Sequence, residues 1–212
     1  MKIAIVTLII RPEYRVTVEP GIKSKEAYCQ RHGYILLIND GSGYYDGERD
    51  PTWYKPLVVR RILEDYDFVF FSDADVVITN QSIRLEDIIE PYKTFDMVIA
   101  SDCGCGANAG HWFLRNTSWS LDMLHYWWNK TDFINAQFLE QAAWLDMWNK
   151  NEVDMRQHAT IHPNQRAFNS FHKQPWVADE AVWQSGDFLI HCAGCRHLLN
   201  ELMPHYAQQI IY

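Results

Sequence analysis

The chain has 212 residues, 48% hydrophobic and 22% charged, which suits one packed domain and excludes a disordered or fibrous polymer. Its 19 Lys and Arg against 27 Asp and Glu leave a formal charge of −8, which argues against a broad nucleic-acid surface. No apolar run reaches the ~20 residues of a membrane span. Five cysteines are an odd number for a closed disulfide framework. Met1-Lys2 and the apolar residues 3–10 imitate a short secretory leader. Arg11-Pro12-Glu13 follows at once, without a small-residue cleavage site, so a buried strand is the expectation. Without a leader, the Asn-x-Ser/Thr triplets at Asn80, Asn116 and Asn129 carry no message, and a soluble, reduced, cytoplasmic protein is expected.

In chain order, residues 2–9 form a near-continuous apolar run, as in a strand buried on both faces. Residues 24–32 predict a helix stopped by Gly33, and 34–39 a second strand. A polar loop over 40–51 leads to a helix at 53–66, with Leu57, Val58, Arg61, Ile62 and Tyr66 at three- and four-residue spacings. Residues 67–72 are a third strand, 84–92 a helix and 97–101 a fourth strand. Beyond 103–110 the pattern changes to a short strand at 111–115, helices near 118–129 and 136–149, and a last strand at 188–192. Alternating strands and helices imply an α/β domain with a mainly parallel sheet, whose ligands bind beyond the carboxyl ends of the strands. No repeat or linker interrupts the chain, so residues 1–212 are expected to be one domain.

Asp73-Ala74-Asp75 lies at such an end. In extended chain residues i and i+2 point to one side, so both carboxylates face one point, as hard oxygen ligands for Mg²⁺ or Mn²⁺. Two enzyme classes place such a pair after an apolar strand. In haloacid-dehalogenase-like phosphatases DxD closes the first strand and its first Asp is the nucleophile. In nucleotide-sugar glycosyltransferases a strand–helix–strand unit comes first, and the order along this chain favours them.

Further motifs join in order: Trp53-Tyr54-Lys55-Pro56, Arg60, residues 67–75, Ile78-Thr79-Asn80, Asn108-Ala109-Gly110, Phe113-Leu114-Arg115-Asn116, Trp119-Ser120, Leu124, Glu140-Gln141 and His191-Cys192-Ala193-Gly194-Cys195. Over roughly residues 2–200 the chain resembles glycosyltransferase family 34, the galactosyl/mannosyl/xylosyltransferases. It departs from that pattern at Leu139, where an acidic residue is expected, and at Arg196, where Lys is expected. No membrane anchor or stem is seen, and the chain is shorter than the family's Golgi members.

The resemblance implies a GT-A fold, a single domain with a mixed, mainly parallel central sheet. Residues 1–80 would form its nucleotide-binding half and 97–200 its sugar and acceptor half. It also implies a retaining transferase that moves a hexose or pentose from UDP-galactose, UDP-xylose or GDP-mannose to a glycan or glycoconjugate hydroxyl. Asp73, Asp75 and His191 would hold the metal. A nitrogen ligand beside two carboxylates leans toward Mn²⁺ over Mg²⁺. Thr7, Tyr28, Lys55, Asp73, Asn108, Gly110, Gly194 and Arg196 would contact the nucleotide or its sugar, Gly110 from a Gly-rich turn that brings backbone close. Asp102, Glu140 and Gln141 would serve catalysis, Asp102 on donor hydroxyls and the other two beneath the anomeric carbon. Two readings compete: an inactive sugar-binding module on the same scaffold, and a zinc site of Cys103, Cys105, Cys192 and Cys195.

Overall fold

The computed structural model describes residues 1–104 and 106–212. The first half contains Ile3–Leu8 (β1), Pro12–His32 (α1), Ile35–Asn39 (β2), Tyr54–Ile62 (α2), Phe68–Ser72 (β3), Val76–Ile78 (β4), Leu85–Ile89 (α3), Met97–Asp102 (β5) and Gly106–Arg115 (β6). The second half adds Ser118–Trp128 (α4), Leu139–Lys150 (α5), Met155–His158 (α6), Ala159–Ile161 (β7), Ser170–Phe171 (β8), Leu189–His191 (β9) and Leu199–Ala207 (α7). Among the described residues no helix is long and apolar enough to cross a membrane.

The main sheet has six strands in the order β2-β1-β3-β6-β5-β7, and a second sheet has three in the order β4-β9-β8. In the main sheet β1 runs parallel to β2 and β3, and β5 parallel to β7, while β6 is antiparallel to both β3 and β5. The sheet is therefore mixed, with parallel pairs at both edges and the antiparallel β6 between them. Side chains alternate between its faces, as the two-residue period of a strand requires. Phe71 stacks on Trp112 at 5.2 Å on the face covered by α2, α4 and α5. Phe70 stacks on Phe113 at 4.4 Å on the face covered by α1 and α3. Both faces are dry, which explains the unbroken apolar runs of β1 and β3.

Three local readings are corrected. Helix α1 begins at Pro12, far ahead of residue 24, because a proline in the first turn supplies a helical φ and needs no amide partner. It continues through Pro20 and stops at Gly33, whose φ of 74° is the left-handed conformation expected there. Asn108-Ala109-Gly110 is no turn but part of β6. There the register with β5 jumps from Ile99 opposite Trp112 to Ala100 opposite Asn108, so residues 109–111 bulge from that ladder while Ser72 still faces His111. The expected helices 53–66 and 84–92 are shorter, each passing into a single tighter turn. Strands β4, β7 and β8 and helix α7 were not anticipated. Two or three residues carry too little alternation to announce a strand.

Candidate active site

The chain leaves the main sheet at Ser72 and joins the second sheet at Val76, so Asp73-Ala74-Asp75 is the crossing between them. The crossing is pinned from three directions. The Asp73 amide donates to the Gly110 carbonyl at 2.9 Å, and the Asp75 carbonyl accepts the Cys192 amide at 2.9 Å. From α1, the fully buried Lys25 ammonium donates to the Asp73 carbonyl at 3.0 Å and the Val76 carbonyl at 3.1 Å. Burial pushes this lysine down to about 8, against the pull of Asp75 and Asp73.

Because β4 and β9 are antiparallel with Val76 opposite His191, the imidazole arrives at the carboxylate pair. Donor atoms of Asp73, Asp75 and His191 all lie within 4.8 Å of one another, and among the described residues no other such group of metal-ligating side chains occurs. His191 Nε2 is 3.5 Å from Asp75 Oδ1. Its Nδ1 is 2.9 Å from Asn169 Oδ1, and its ring packs edge-on against His111 and Phe171. A methyl group at Gly110 would stand 2.7 Å from His191 Cε1 and 2.9 Å from Asp73 Oδ2. The glycine thus makes room for the ligands themselves, rather than for a sugar against the backbone. Burial raises the Asp73 carboxyl above its ordinary value. Burial also works to raise Asp75, but the facing His191 outweighs it and holds that carboxyl low. Two carboxylates of unequal basicity beside an imidazole nitrogen fit a divalent cation.

Lys55 is buried and held by carboxylates: its Nζ lies 2.9 Å from Asp73 Oδ1, 3.0 Å from Asp73 Oδ2 and 2.9 Å from Glu140 Oε1. Burial alone would lower this lysine, but Asp73 and Glu140 outweigh it and raise it above the ordinary value. Glu140 is buried in its helix and pairs with Lys55 as a counter-ion. Asp102, Asn108 and Gln141 form a separate cluster. Asn108 Nδ2 donates to Asp102 Oδ2 at 3.0 Å, and the Gln141 amide donates to the same oxygen at 3.4 Å. Gln141 Oε1 accepts the Ala109 amide at 3.0 Å. Burial raises the Asp102 carboxyl, against these donated hydrogen bonds.

A cavity of about 250 Å³ opens on the Asp73–Asp75 crossing, between the end of β1 and the start of α7. Leu8, Ile10, Arg11, Tyr14, Lys55, Gly194 and Arg196 line it. Gly194 and Arg196 thus share a cavity with the carboxylate pair. Four of the expected contact residues, Thr7, Tyr28, Asn108 and Gly110, are not in its lining. Thr7 is fully buried within β1, one step before the cavity wall begins at Leu8. Tyr28 is locked in the core, its hydroxyl donating to the Ile83 carbonyl at 2.7 Å and its ring packed on Tyr34 and Phe188. The zinc alternative falls partly on Cys105, outside the described residues; Cys103, Cys192 and Cys195 carry free thiols.

Lys25, Asn169, Arg11 and Tyr14 are site residues that the sequence reading missed. Lys25 had a signal: Val18, Ile22, Lys25 and Cys29 mark one stripe of α1, so a charge fell on its apolar face. Asn169 sits in a loop, where no periodicity points.

Comparison with known proteins agrees with this geometry. A model described as the galactosyl transferase GMA12/MNN10 family matches residues 90–201, and one described as a protein of unknown function, DUF273, matches residues 25–144. The probable α-1,6-mannosyltransferase MNN10 of Saccharomyces cerevisiae is 26% identical over 82% of this chain and 54% of its own length. Xyloglucan 6-xylosyltransferase 1 of Arabidopsis thaliana is 31% identical over 50% of this chain and 25% of its own. The chain thus spans about half, or less, of the length of these curated relatives. Among solved structures, a glycosyltransferase involved in glycosylation of the major capsid of PBCV-1 superposes with a TM-score of 0.76 at 16% identity, covering 97% of this chain and 100% of that one. The galactosyltransferase LgtC, solved with donor and acceptor sugar analogues, gives 0.55 at 14% identity over 100% and 97%. The fold is therefore of the GT-A type, and with a family model matching more than half its residues, the chain belongs to the galactosyl transferase GMA12/MNN10 family.

Proposed function

We propose that the protein is a retaining glycosyltransferase that moves a hexose or pentose from a nucleotide-diphosphate sugar to a glycan or glycoconjugate hydroxyl. Mn²⁺ is its cofactor, with Mg²⁺ the alternative, and UDP-galactose, UDP-xylose and GDP-mannose are the candidate donors. Residues 1–212 act as one catalytic domain, with 1–80 the nucleotide half and 97–200 the sugar and acceptor half. The observation that carries this reading is the convergence of Asp73, Asp75 and His191, the two carboxylates lining a cavity that also holds Arg196. Bound there, the cation would neutralise charge on the departing diphosphate. Arg196 and Arg11 line the same cavity, and a guanidinium fork suits phosphate oxygens. Lys55 keeps Asp73 oriented and its charge compensated while the site is empty of substrate.

The hydrogen-bonded cluster of Asp102, Asn108 and Gln141 would offer donors and acceptors to donor hydroxyls. Attack from the front face is favoured. Glu140 is committed to Lys55, and an amide such as Gln141 is a poor nucleophile because its lone pair is delocalised. In that route the acceptor proton passes to the leaving phosphate oxygen. The phosphatase alternative gains nothing from the geometry, since both oxygens of its would-be nucleophile Asp73 are held by Lys55. An inactive sugar-binding module would have no need of the assembled Asp73, Asp75 and His191.

Calorimetry with UDP and GDP, with and without Mn²⁺, tests the reading. Nucleotide binding should require the cation, and Asp75→Ala should abolish both binding and donor turnover in a folded protein. Equal affinity in chelator would overturn it. Gln141→Ala should lower turnover by roughly 10²-fold or less, with nucleotide affinity nearly unchanged. A stable glycosyl adduct on Glu140 from a slow fluorinated donor would replace front-face attack by double displacement.

A further inference from the structure

The ring nitrogens of His191 have different neighbours, and one buried amide decides between them. Asn169 is fully buried in the loop before β8. Its Nδ2 lies 2.9 Å from the Ser101 carbonyl at the end of β5, and its Oδ1 lies 2.9 Å from His191 Nδ1. A carbonyl only accepts, so the NH₂ end must face Ser101 and the oxygen end must face His191. An amide oxygen carries no proton. Nδ1 must therefore carry the hydrogen, and in the neutral ring Nε2 keeps its lone pair, directed to the side where Asp75 Oδ1 lies 3.5 Å away.

The loop that carries this side chain is itself fixed. The Asn169 backbone N–H donates to the Gln165 carbonyl at 2.8 Å, and its backbone carbonyl accepts from Gln165 Nε2 at 3.2 Å. The imidazole is confined as well, by His111 at 4.7 Å and by Phe171 at 5.5 Å. Asn169 also joins the two sheets across the site, from Ser101 of the main sheet to His191 of the second.

We propose that Asn169 is the positioning residue of the metal centre: it sets the Nδ1–H tautomer of His191 and so presents Nε2 to the cation. This rests on the assignment of Asp73, Asp75 and His191 as metal ligands. A hydrogen-bonded partner on the far nitrogen of a ligating histidine typically governs metal affinity by 10–100-fold.

Two readouts test it separately. On metal-free protein, at a pH where the ring is neutral, long-range ¹H–¹⁵N spectra, with His191 identified by its loss in His191→Gln, should show Nδ1 protonated and Nε2 bare. In Asn169→Ala the two tautomers should mix. Free Mn²⁺ measured by electron paramagnetic resonance should show Asn169→Ala binding about 10–100-fold more weakly. Asn169→Asp keeps an acceptor for Nδ1–H and should stay within a few fold of the parent. Circular dichroism should show all three variants folded. An Nε2–H tautomer in the parent, or unchanged Mn²⁺ affinity in Asn169→Ala, would overturn the proposal. A parent with the Nδ1–H tautomer that binds no Mn²⁺ would overturn the metal assignment and with it Asn169's role toward a cation.

Discussion

Lys55 is the residue whose loss the site should tolerate least. Its buried ammonium stands between Asp73 and Glu140, and no hydrophobic replacement can compensate both carboxylates. Breaking a buried pair leaves an uncompensated charge, typically at a cost of about 3–5 kcal/mol. Lys55→Met should therefore lower stability by that order in urea unfolding, with the slope unchanged. Adding Glu140→Gln should restore part of the loss, because one of the two stranded charges is then gone. Glu140→Gln alone should cost less, since Lys55 keeps both oxygens of Asp73. A Lys55→Met variant as stable as the parent would show that the pair is solvated.

At the scale of elements, α1 determines where the carboxylates stand. It packs on β4 through Gly21, Ser24 and Lys25, with Ser24 Oγ accepting the Ile78 amide at 3.0 Å and donating to the Gly21 carbonyl at 2.7 Å. A methyl at Gly21 would lie 2.3 Å from the Val76 carbonyl oxygen and 2.5 Å from Met203 Cε. Backbone on one side and α7 on the other leave little room to give. Gly21→Ala should cost about 1–3 kcal/mol by overpacking, whereas Glu26→Ala on the exposed side of the same helix should stay within about 0.5 kcal/mol. Paired thermal melts decide it, and equal melting of the two would refute tight docking. Helix α5 is tied differently. Asp146 lies 2.7 Å from Lys130 and 2.9 Å from Lys150, and Lys130 also reaches Glu152 at 2.8 Å. Burial works to raise the Asp146 carboxyl, but Lys130 and Lys150 outweigh it and hold it below its ordinary 3.8. A carboxyl lowered on folding stabilises above the unfolded value and loses that contribution as pH falls through the folded one. Below about pH 4.5 the parent should therefore lose stability more steeply than Asp146→Asn, by up to roughly 1 kcal/mol for so exposed a network. Parallel acid limbs in the two proteins would dismiss the ion pair as a contributor.

For the whole molecule, the site is a junction between two sheets, so whatever binds there should stabilise the entire fold. With UDP at about 100 times its dissociation constant in saturating Mn²⁺, linkage predicts about 2.7 kcal/mol from the nucleotide. For a domain of this size that is a rise of about 5–10 °C in melting temperature. Asp75→Ala should melt with no such rise. A parent whose melting ignores the pair of ligands would mean that the cavity takes something else.

The apolar runs of β1 and β3, the helix stop at Gly33 and the carboxylate pair at a strand end were all legible in the sequence. Each depends on neighbours in the chain: alternation, a φ only glycine takes readily, a two-residue spacing. The order of motifs likewise carried the family. What the sequence could not reveal is which residues become neighbours after folding. Gly110 reads as a turn until β6 brings it against His191 and Asp73, and nothing along the chain announces that Lys55 meets Glu140 in the core. Tyr28 fits a binding role by type alone, yet its register on α1 directs it into the core. His191 had a place at a strand end, but its usable nitrogen was decided by Asn169, 22 positions away in a loop without pattern. Local periodicity determines elements because it acts within a few residues. Protonation, charge compensation and access are set by contacts between distant segments, so only the tertiary structure decided them.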